Sequence, residues 1–214
     1  MRVLVVAPHP DDEILGCGGT ILKHKKNGDE VSICYATKPW EPIWSKEYIK
    51  NRTTCLKKLK ECLKVEMFFG NFNTTTLSNE KLPEIISWFN DVVKEVDPQI
   101  IYIPSMNDIH QDHMVLAHSA LIAAKPTGCS AKTILTYETP SETEFGFGFV
   151  PKYYIDITKH LEDKLDLLLL FYKEEIKEYP HTRSTSSVIA LARKRGSEVN
   201  IPYAESFEVV RMIR

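Results

Sequence analysis

The chain has 214 residues, 43% of them hydrophobic, enough to bury a full core and about the length of one domain. Lys and Arg number 27 against 29 Asp and Glu, so no excess of positive charge is available to hold a phosphate backbone, and no nucleic-acid partner is expected. The five cysteines are scattered and form no Cys-x-x-Cys pair, no secretory leader opens the chain, and the best apolar run (165–172) is far below the ~20 residues of a membrane span, so a cytoplasmic protein with no transmembrane segment is expected.

The first apolar run, 2–7, reads as a buried strand that stops at Pro8-His9-Pro10-Asp11-Asp12-Glu13. A helix is expected over 13–27, closed by Asn27-Gly28, and its Gly16, Gly18 and Gly19 suit close packing against a sheet. Glycine is missing at position 21, where Ile21 stands, so these residues do not form a dinucleotide-binding turn. Next come a strand at 31–37, a loop carrying Trp40 and Trp44, a helix over 46–64, a strand at 66–70 and a helix over 80–95. A strand at 99–104 leads straight into NDIHQDHMVLAH and a helix over 111–125. Strands at 133–138 and 153–157, helices over 159–178 and 186–195, and a strand at 206–211 complete the chain. Short apolar runs alternating with longer amphipathic ones are the pattern of strands joined by helical crossovers. The fold expected is therefore α/β, a Rossmann-like three-layer sandwich with a mostly parallel sheet, in a single domain over 1–214. Such sheets bind ligands outside the carboxyl ends of their strands, at a switch in strand order.

Both clusters of ionisable residues fall at such strand ends. His9 and Asp12 lie three apart on a tight turn and are ligand types for a borderline cation. One acid before a helix is often only a cap, which leaves the other acids and the histidine unexplained. In the second cluster His110 and His113 lie three apart with Asp112 between them. Were His113 to join His9 and Asp12, three protein ligands would leave one position for water, the pattern of a catalytic zinc.

Pro8-His9-Pro10-Asp11-Asp12-Glu13 after the first strand, with Asp108-x-His110-x-Asp112-His113 after a later one, resembles the LmbE-like family of zinc-dependent N-acetylglucosaminyl deacetylases, relatives of the N-acetylglucosaminyl-phosphatidylinositol deacetylase PIG-L. The resemblance extends to Gly18-Gly19-Thr20, Arg52, Tyr137-Glu138, Asp156-Ile157, Lys164, Arg195-Gly196 and the stretch from Tyr203 to Phe207. It implies zinc held by His9, Asp12 and His113, with Asp11 as general base taking a proton from a metal-activated water. His110, if kept protonated by Asp112, would be a second positive donor to the oxyanion, and either Asp11 or His110 could protonate the departing amine. Orientation of a ligand histidine is an equal alternative for Asp112. Iron(II) would also accept two histidines and one carboxylate. The substrate implied is a small N-acetylated amino-sugar conjugate, and relatives of this kind often form homo-oligomers.

This chain departs from its relatives in the loop 36–52, where Trp40, Trp44 and Tyr48 stand at four-residue spacing. Trp40, between prolines on a polar loop, is the expected substrate contact, and Trp44 and Tyr48 are expected to anchor the loop. Arg52 matches a family position that binds substrate oxygens, yet the acidic residue relatives carry just after it is Thr54 or Cys55 here, which leaves an exposed arginine as the competing expectation. Two other functions remain open on the sequence: a zinc hydrolase of another small acylated substrate, and a nonenzymatic sugar- or nucleotide-binding protein.

Overall fold

A computed structural model describes residues 1–213. The strands are β1 (Arg2–Ala7), β2 (Glu30–Lys38), β3 (Glu66–Asn73), β4 (Ile100–Pro104), β5 (Thr133–Tyr137), β6 (Tyr153–Asp156) and β7 (Ala204–Met212). The helices are α1 (Asp12–Lys26), α2 (Lys46–Leu63), α3 (Leu82–Val96), α4 (Gln111–Ala123), α5 (Leu161–Phe171) and α6 (Thr185–Ser197). All seven strands form one sheet in the order β3-β2-β1-β4-β5-β7-β6. The first five run parallel, and β7 pairs antiparallel with both β5 and β6. The expected α/β sandwich with a mostly parallel sheet is the fold observed.

β1 is apolar throughout because both of its faces are covered. Val3, Val5 and Ala7 point into a core shared with α1, α2, α5 and α6, whereas Leu4 and Val6 join a second core with α3 and α4. Chain order reverses between β1 and β4, and the two loops leaving their carboxyl ends diverge there. α1 sits so close to the sheet that a Cβ on Gly16 would lie 2.2 Å from the Tyr137 ring, so glycine is required by contact. No helix is long and apolar enough to cross a membrane among the described residues.

One helix is shorter than expected. α5 ends at Phe171 instead of continuing to 178, and residues 172–184 turn across the end of the sheet. The residues expected to extend the helix are held by distant polar partners. The Tyr172 hydroxyl donates to the buried Glu13 carboxyl, and Glu175 accepts from the Arg52 guanidinium at 2.7 Å. Tyr172 still closes the last turn of α5, its N–H on the Leu168 carbonyl at 2.9 Å, and the chain leaves the helix after it.

Candidate metal centre and its cleft

Pro8 and Pro10 end β1, and the turn that follows brings the His9 imidazole and the Asp12 carboxylate together. The Asp12 Oδ2 accepts the His9 backbone N–H at 2.9 Å, which fixes the turn from within. Asp11 has φ 142°, a conformation rarely adopted by a residue with a side chain. Its backbone N–H donates to Glu13 at 3.0 Å, so the strained turn is held by a carboxyl buried beneath it.

His113, from the first turn of α4, completes the cluster. His9 Nδ1 lies 3.2 Å from Asp12 Oδ2, His113 Nε2 lies 3.2 Å from the same oxygen, and the two nitrogens are 3.3 Å apart. Zinc bonds of about 2.0–2.1 Å at tetrahedral angles would set neighbouring donors ~3.3 Å apart, so the three atoms are spaced as the ligands of one small cation. The other Asp12 oxygen, Oδ1, is buried without a hydrogen-bond partner among the described residues. Each imidazole has its remaining nitrogen on a carboxylate, His9 Nε2 on Asp112 at 2.9 Å and His113 Nδ1 on Asp108 at 3.0 Å. That arrangement fixes tautomer and ring orientation in metal-ligating histidines. Asp112 is itself anchored by the N–H groups of Thr75 at 2.7 Å and Leu77 at 2.9 Å, and Asp108 by the Thr143 hydroxyl at 3.0 Å.

His110 is the third imidazole, and nitrogens of His9, His110 and His113 all lie within 4.8 Å of one another. Its hydrogen bonding sets it apart. His110 Nδ1 accepts the Asp112 backbone N–H at 3.1 Å, so the proton of the neutral ring sits on Nε2, which then presents a donor in place of a lone pair. Burial first, and then the neighbouring His9 and His113, push its pKa down to about 4. The expectation that Asp112 keeps His110 protonated is therefore corrected. The Asp112 carboxylate spends its hydrogen bonds on His9, Thr75 and Leu77, because the helix start that aims its backbone N–H at His110 turns its side chain away.

Carboxylates surround the two imidazoles and set the charge of each. Burial opposes charge on His9, but hydrogen bonds to Asp112 and Asp12 outweigh it and raise the pKa to about 9. His113 rises likewise to about 10, with Asp12 and Asp108 overcoming burial. Asp12 is held well below the usual carboxylate range in spite of its burial, by His113 and His9. Asp11 moves the other way. Burial raises it to about 7, with the Arg183 guanidinium opposing and the Asp12 charge adding.

A cleft of about 170 Å³ opens beside the cluster, lined in part by His9, Asp11, Trp44, Tyr48, His110 and Arg183. Arg183 Nη1 donates to Asp11 Oδ2 at 2.9 Å, its Nε donates to the Ser141 hydroxyl at 2.7 Å, and Glu142 lies 3.6 Å from the guanidinium. Arg52 also lines the cleft and is buried, which rules out the exposed alternative. Its acidic partner is Glu175 at 2.7 Å, from the irregular segment after α5, not a residue on its own helix. The tryptophans exchange the places expected of them. Trp44 and Tyr48 line the cleft, while Trp40 stands outside that lining with its indole N–H donated to the Thr74 carbonyl at 3.0 Å. A polar loop needs such an anchor for its largest ring. Sequence reasoning missed Arg183, Glu175 and Glu142 outright; for Asp108 the motif spacing was visible, but not its bond to His113.

Comparison with known proteins adds a family and a set of structures. The family profile described as PIG-L: GlcNAc-PI de-N-acetylase matches residues 4–125. The chain is 26% identical over 147 residues to the uncharacterized deacetylase YaiS of Escherichia coli, covering 65% of this chain and 74% of that protein. It is 28% identical over 132 residues to the probable N-acetyl-alpha-D-glucosaminyl L-malate deacetylase 2 of Bacillus cereus, covering 57% of this chain and 60% of the relative. The N,N'-diacetylchitobiose deacetylase of Pyrococcus horikoshii superposes with a TM-score of 0.77 at 21% identity, covering 98% of this chain and 83% of that one. GalB, the 4-carboxy-2-hydroxymuconate hydratase of Pseudomonas putida KT2440, superposes with a TM-score of 0.78 at 20% identity over 100% of this chain and 98% of that one. The same fold thus carries more than one reaction, and the chemistry has to be argued from the site.

Proposed function

The chain belongs to the PIG-L family, and from that membership and the geometry around His9 we propose that it is a metal-dependent hydrolase that removes the N-acetyl group from an N-acetylglucosamine-containing conjugate. The observation that carries this reading is the trio of donor atoms of His9, Asp12 and His113, 3.2 to 3.3 Å apart, with each imidazole backed by a carboxylate and Asp11 standing beside them. These residues would hold zinc, or iron(II), which accepts the same ligands. A divalent cation held there would supply an acidified water and would draw electron density from the amide carbonyl.

The chain's own residues supply the rest. Asp11 takes the proton of the attacking water, and Arg183 on its Oδ2 holds the carboxylate in place while Oδ1 makes no hydrogen bond among the described residues. His110, neutral and protonated on Nε2, donates to the carbonyl oxygen as charge develops on it. Asp11, now carrying a proton, returns it to the departing amine. Asp112 and Asp108 keep the two ligand histidines oriented. Trp44 offers a flat apolar face to the sugar ring, and Arg52 offers donors to its hydroxyl groups. The relatives named for acetylated amino sugars support the substrate class, and the chain's own fit to it rests on the polar cleft beside an aromatic wall.

The test is acetate release by the zinc-loaded protein from free, glycosidic, nucleotide-linked and inositol-linked N-acetylglucosamine, with Asp11→Asn as control. Release that vanishes in the control is expected. Silence across the panel with metal bound would sink the substrate assignment.

A further inference from the structure

A second cavity, of about 360 Å³, lies between α2 and the edge strand β3 and shares Pro10, Pro39 and Arg52 with the cleft beside the candidate metal centre. Its apolar wall comes from Ile49 and Leu56 on α2 and from Met67 and Phe69 on β3. Phe69 is 45% exposed although its ring stacks on the buried Tyr35 at 5.6 Å, so a large ring faces solvent on a rigid base. The charged lining is all of one sign: Lys38, Lys57, Lys60 and Arg52, with no Asp or Glu among the residues around it. Lys60 is paired with Glu66 at 2.6 Å and Arg52 with Glu175, whereas Lys38 and Lys57 have no ion pair among the described residues. The neighbouring cleft carries both signs, with Asp11, Glu142 and Glu175 set against Arg52 and Arg183.

Resting on the deacetylase reading, we propose that this groove is the subsite for the aglycone, and that the aglycone is an apolar group bearing a negative charge. A sugar seated against Trp44 projects its substituent past Arg52 or out to solvent. Past Arg52 it meets apolar side chains that gain by losing water and two uncommitted ammonium groups that favour an anion over a neutral or cationic group. In the first cleft both guanidinium groups are already paired with carboxylates, so an acidic substituent meets no uncommitted side-chain cation there. The apolar wall supplies most of the affinity, since exposed lysines add little each, and the lysines supply the preference for charge.

The experiment compares kcat/KM for acetate release from the methyl, benzyl and 4-carboxybenzyl glycosides of N-acetylglucosamine. Half-burying a phenyl ring should favour benzyl over methyl by about tenfold. The carboxylate should add about threefold, a gain that fades in high salt. Lys57→Gln should bring the carboxybenzyl-to-benzyl ratio close to one, and Phe69→Ser should lower the benzyl-to-methyl ratio. Ratios taken within each variant are insensitive to a loss of folded protein. Equal kcat/KM for the three glycosides, or preferences untouched by both variants, would overturn the groove. Nuclear magnetic resonance titration of 4-carboxybenzyl alcohol into metal-free protein reads the groove without turnover. Lys57-dependent shifts with no acetate from any glycoside would refute the deacetylase reading and keep the groove, whereas acetate without shifts or preference would do the opposite.

Discussion

Charge is buried on two sides of α1, and the two clusters are finished in different ways. Along the helix, the Lys164 ammonium reaches the Leu15 carbonyl at 2.8 Å and Glu205 at 2.7 Å, and the same carboxylate accepts the N–H groups of Gly19 at 2.9 Å and Thr20 at 2.7 Å. Every charge there has an opposite partner within the chain. At the amino end of the helix, His9, Asp12 and His113 aim three donor atoms at one another, Asp12 leaves an oxygen without a partner, and Asp11 is strained. Residues of both clusters belong to the stretches that resemble relatives, so resemblance alone does not tell them apart. Satisfaction does: the Lys164–Glu205 pair uses every polar atom it has, whereas Asp12 keeps a buried oxygen without a partner, and on the proposed reading that cluster binds a cation.

The hardest test of that distinction is to break the open cluster. His9→Ala should leave a folded protein, take bound zinc from stoichiometric to trace, and drop turnover to background. Full zinc occupancy in that variant, by elemental analysis, would mean His9 is no ligand. Asp11→Asn should keep the metal and cost a factor of ~10² to 10⁴ in kcat, the range of general acid–base catalysis. The pH profile carries the same assignment. A base works only when deprotonated, and burial places Asp11 at about 7 without a cation, which a bound cation can only lower. The rate should therefore climb with pH through a value no higher than that and level off, and Asp11→Asn should abolish the climb. His110, at about 4, should contribute no step near neutrality.

Breaking the closed cluster should do the reverse. Lys164→Met leaves the Glu205 carboxylate buried without its counter-charge, and removing one partner of such a pair costs about 3–5 kcal/mol. Urea unfolding should show that loss, while zinc content and kcat per folded molecule stay as they were. A Lys164→Met protein that is fully stable but short of metal would erase the contrast between the two clusters. Between these extremes lies Asp112→Asn, which keeps the shape around His9 but weakens its hold. Metal affinity should fall by ~10- to 100-fold, as for other carboxylates behind ligand histidines, and an unchanged affinity would detach Asp112 from the metal centre.

How far the sequence discloses these clusters depends on how local each one is. His9, Asp11 and Asp12 are adjacent in the chain and follow a buried strand, so residue type and position are enough to place them at the switch point. His113 follows another strand end at the same edge. The partners that tune them come from elsewhere. Arg183 meets Asp11 across 172 positions, and Glu175 meets Arg52 across 123, through a segment whose apolar spacing continues the helical pattern of α5. That spacing reflects burial of Tyr172 over Glu13, which a helix and a folded-back loop can equally supply. The same limit explains the exchange between Trp40 and Trp44. Local context made Trp40 look like a substrate contact, and nothing in it announced that Thr74 would offer a carbonyl to the indole.

That exchange yields the smallest effect. Trp44 stands in the cleft with its ring 6.4 Å from that of Tyr48, half-exposed, and its indole makes no hydrogen bond among the described residues, although its backbone N–H donates to the Trp40 carbonyl at 3.0 Å. Trp44→Ala should raise KM by about threefold to tenfold with little change in kcat, since stacking on a sugar binds ground state and transition state alike. Trp40→Ala should instead cost about 1 kcal/mol of stability through the lost bond to Thr74 and leave KM near its original value. Thr74 is buried on the path from β3 to Thr75, whose N–H holds Asp112, so loosening it could reach the metal centre through the backbone. Zinc affinity measured in Trp40→Ala separates the outcomes: a rise in KM at full metal occupancy would return Trp40 to the substrate, and a fall in occupancy alone would make the loop a support for His9.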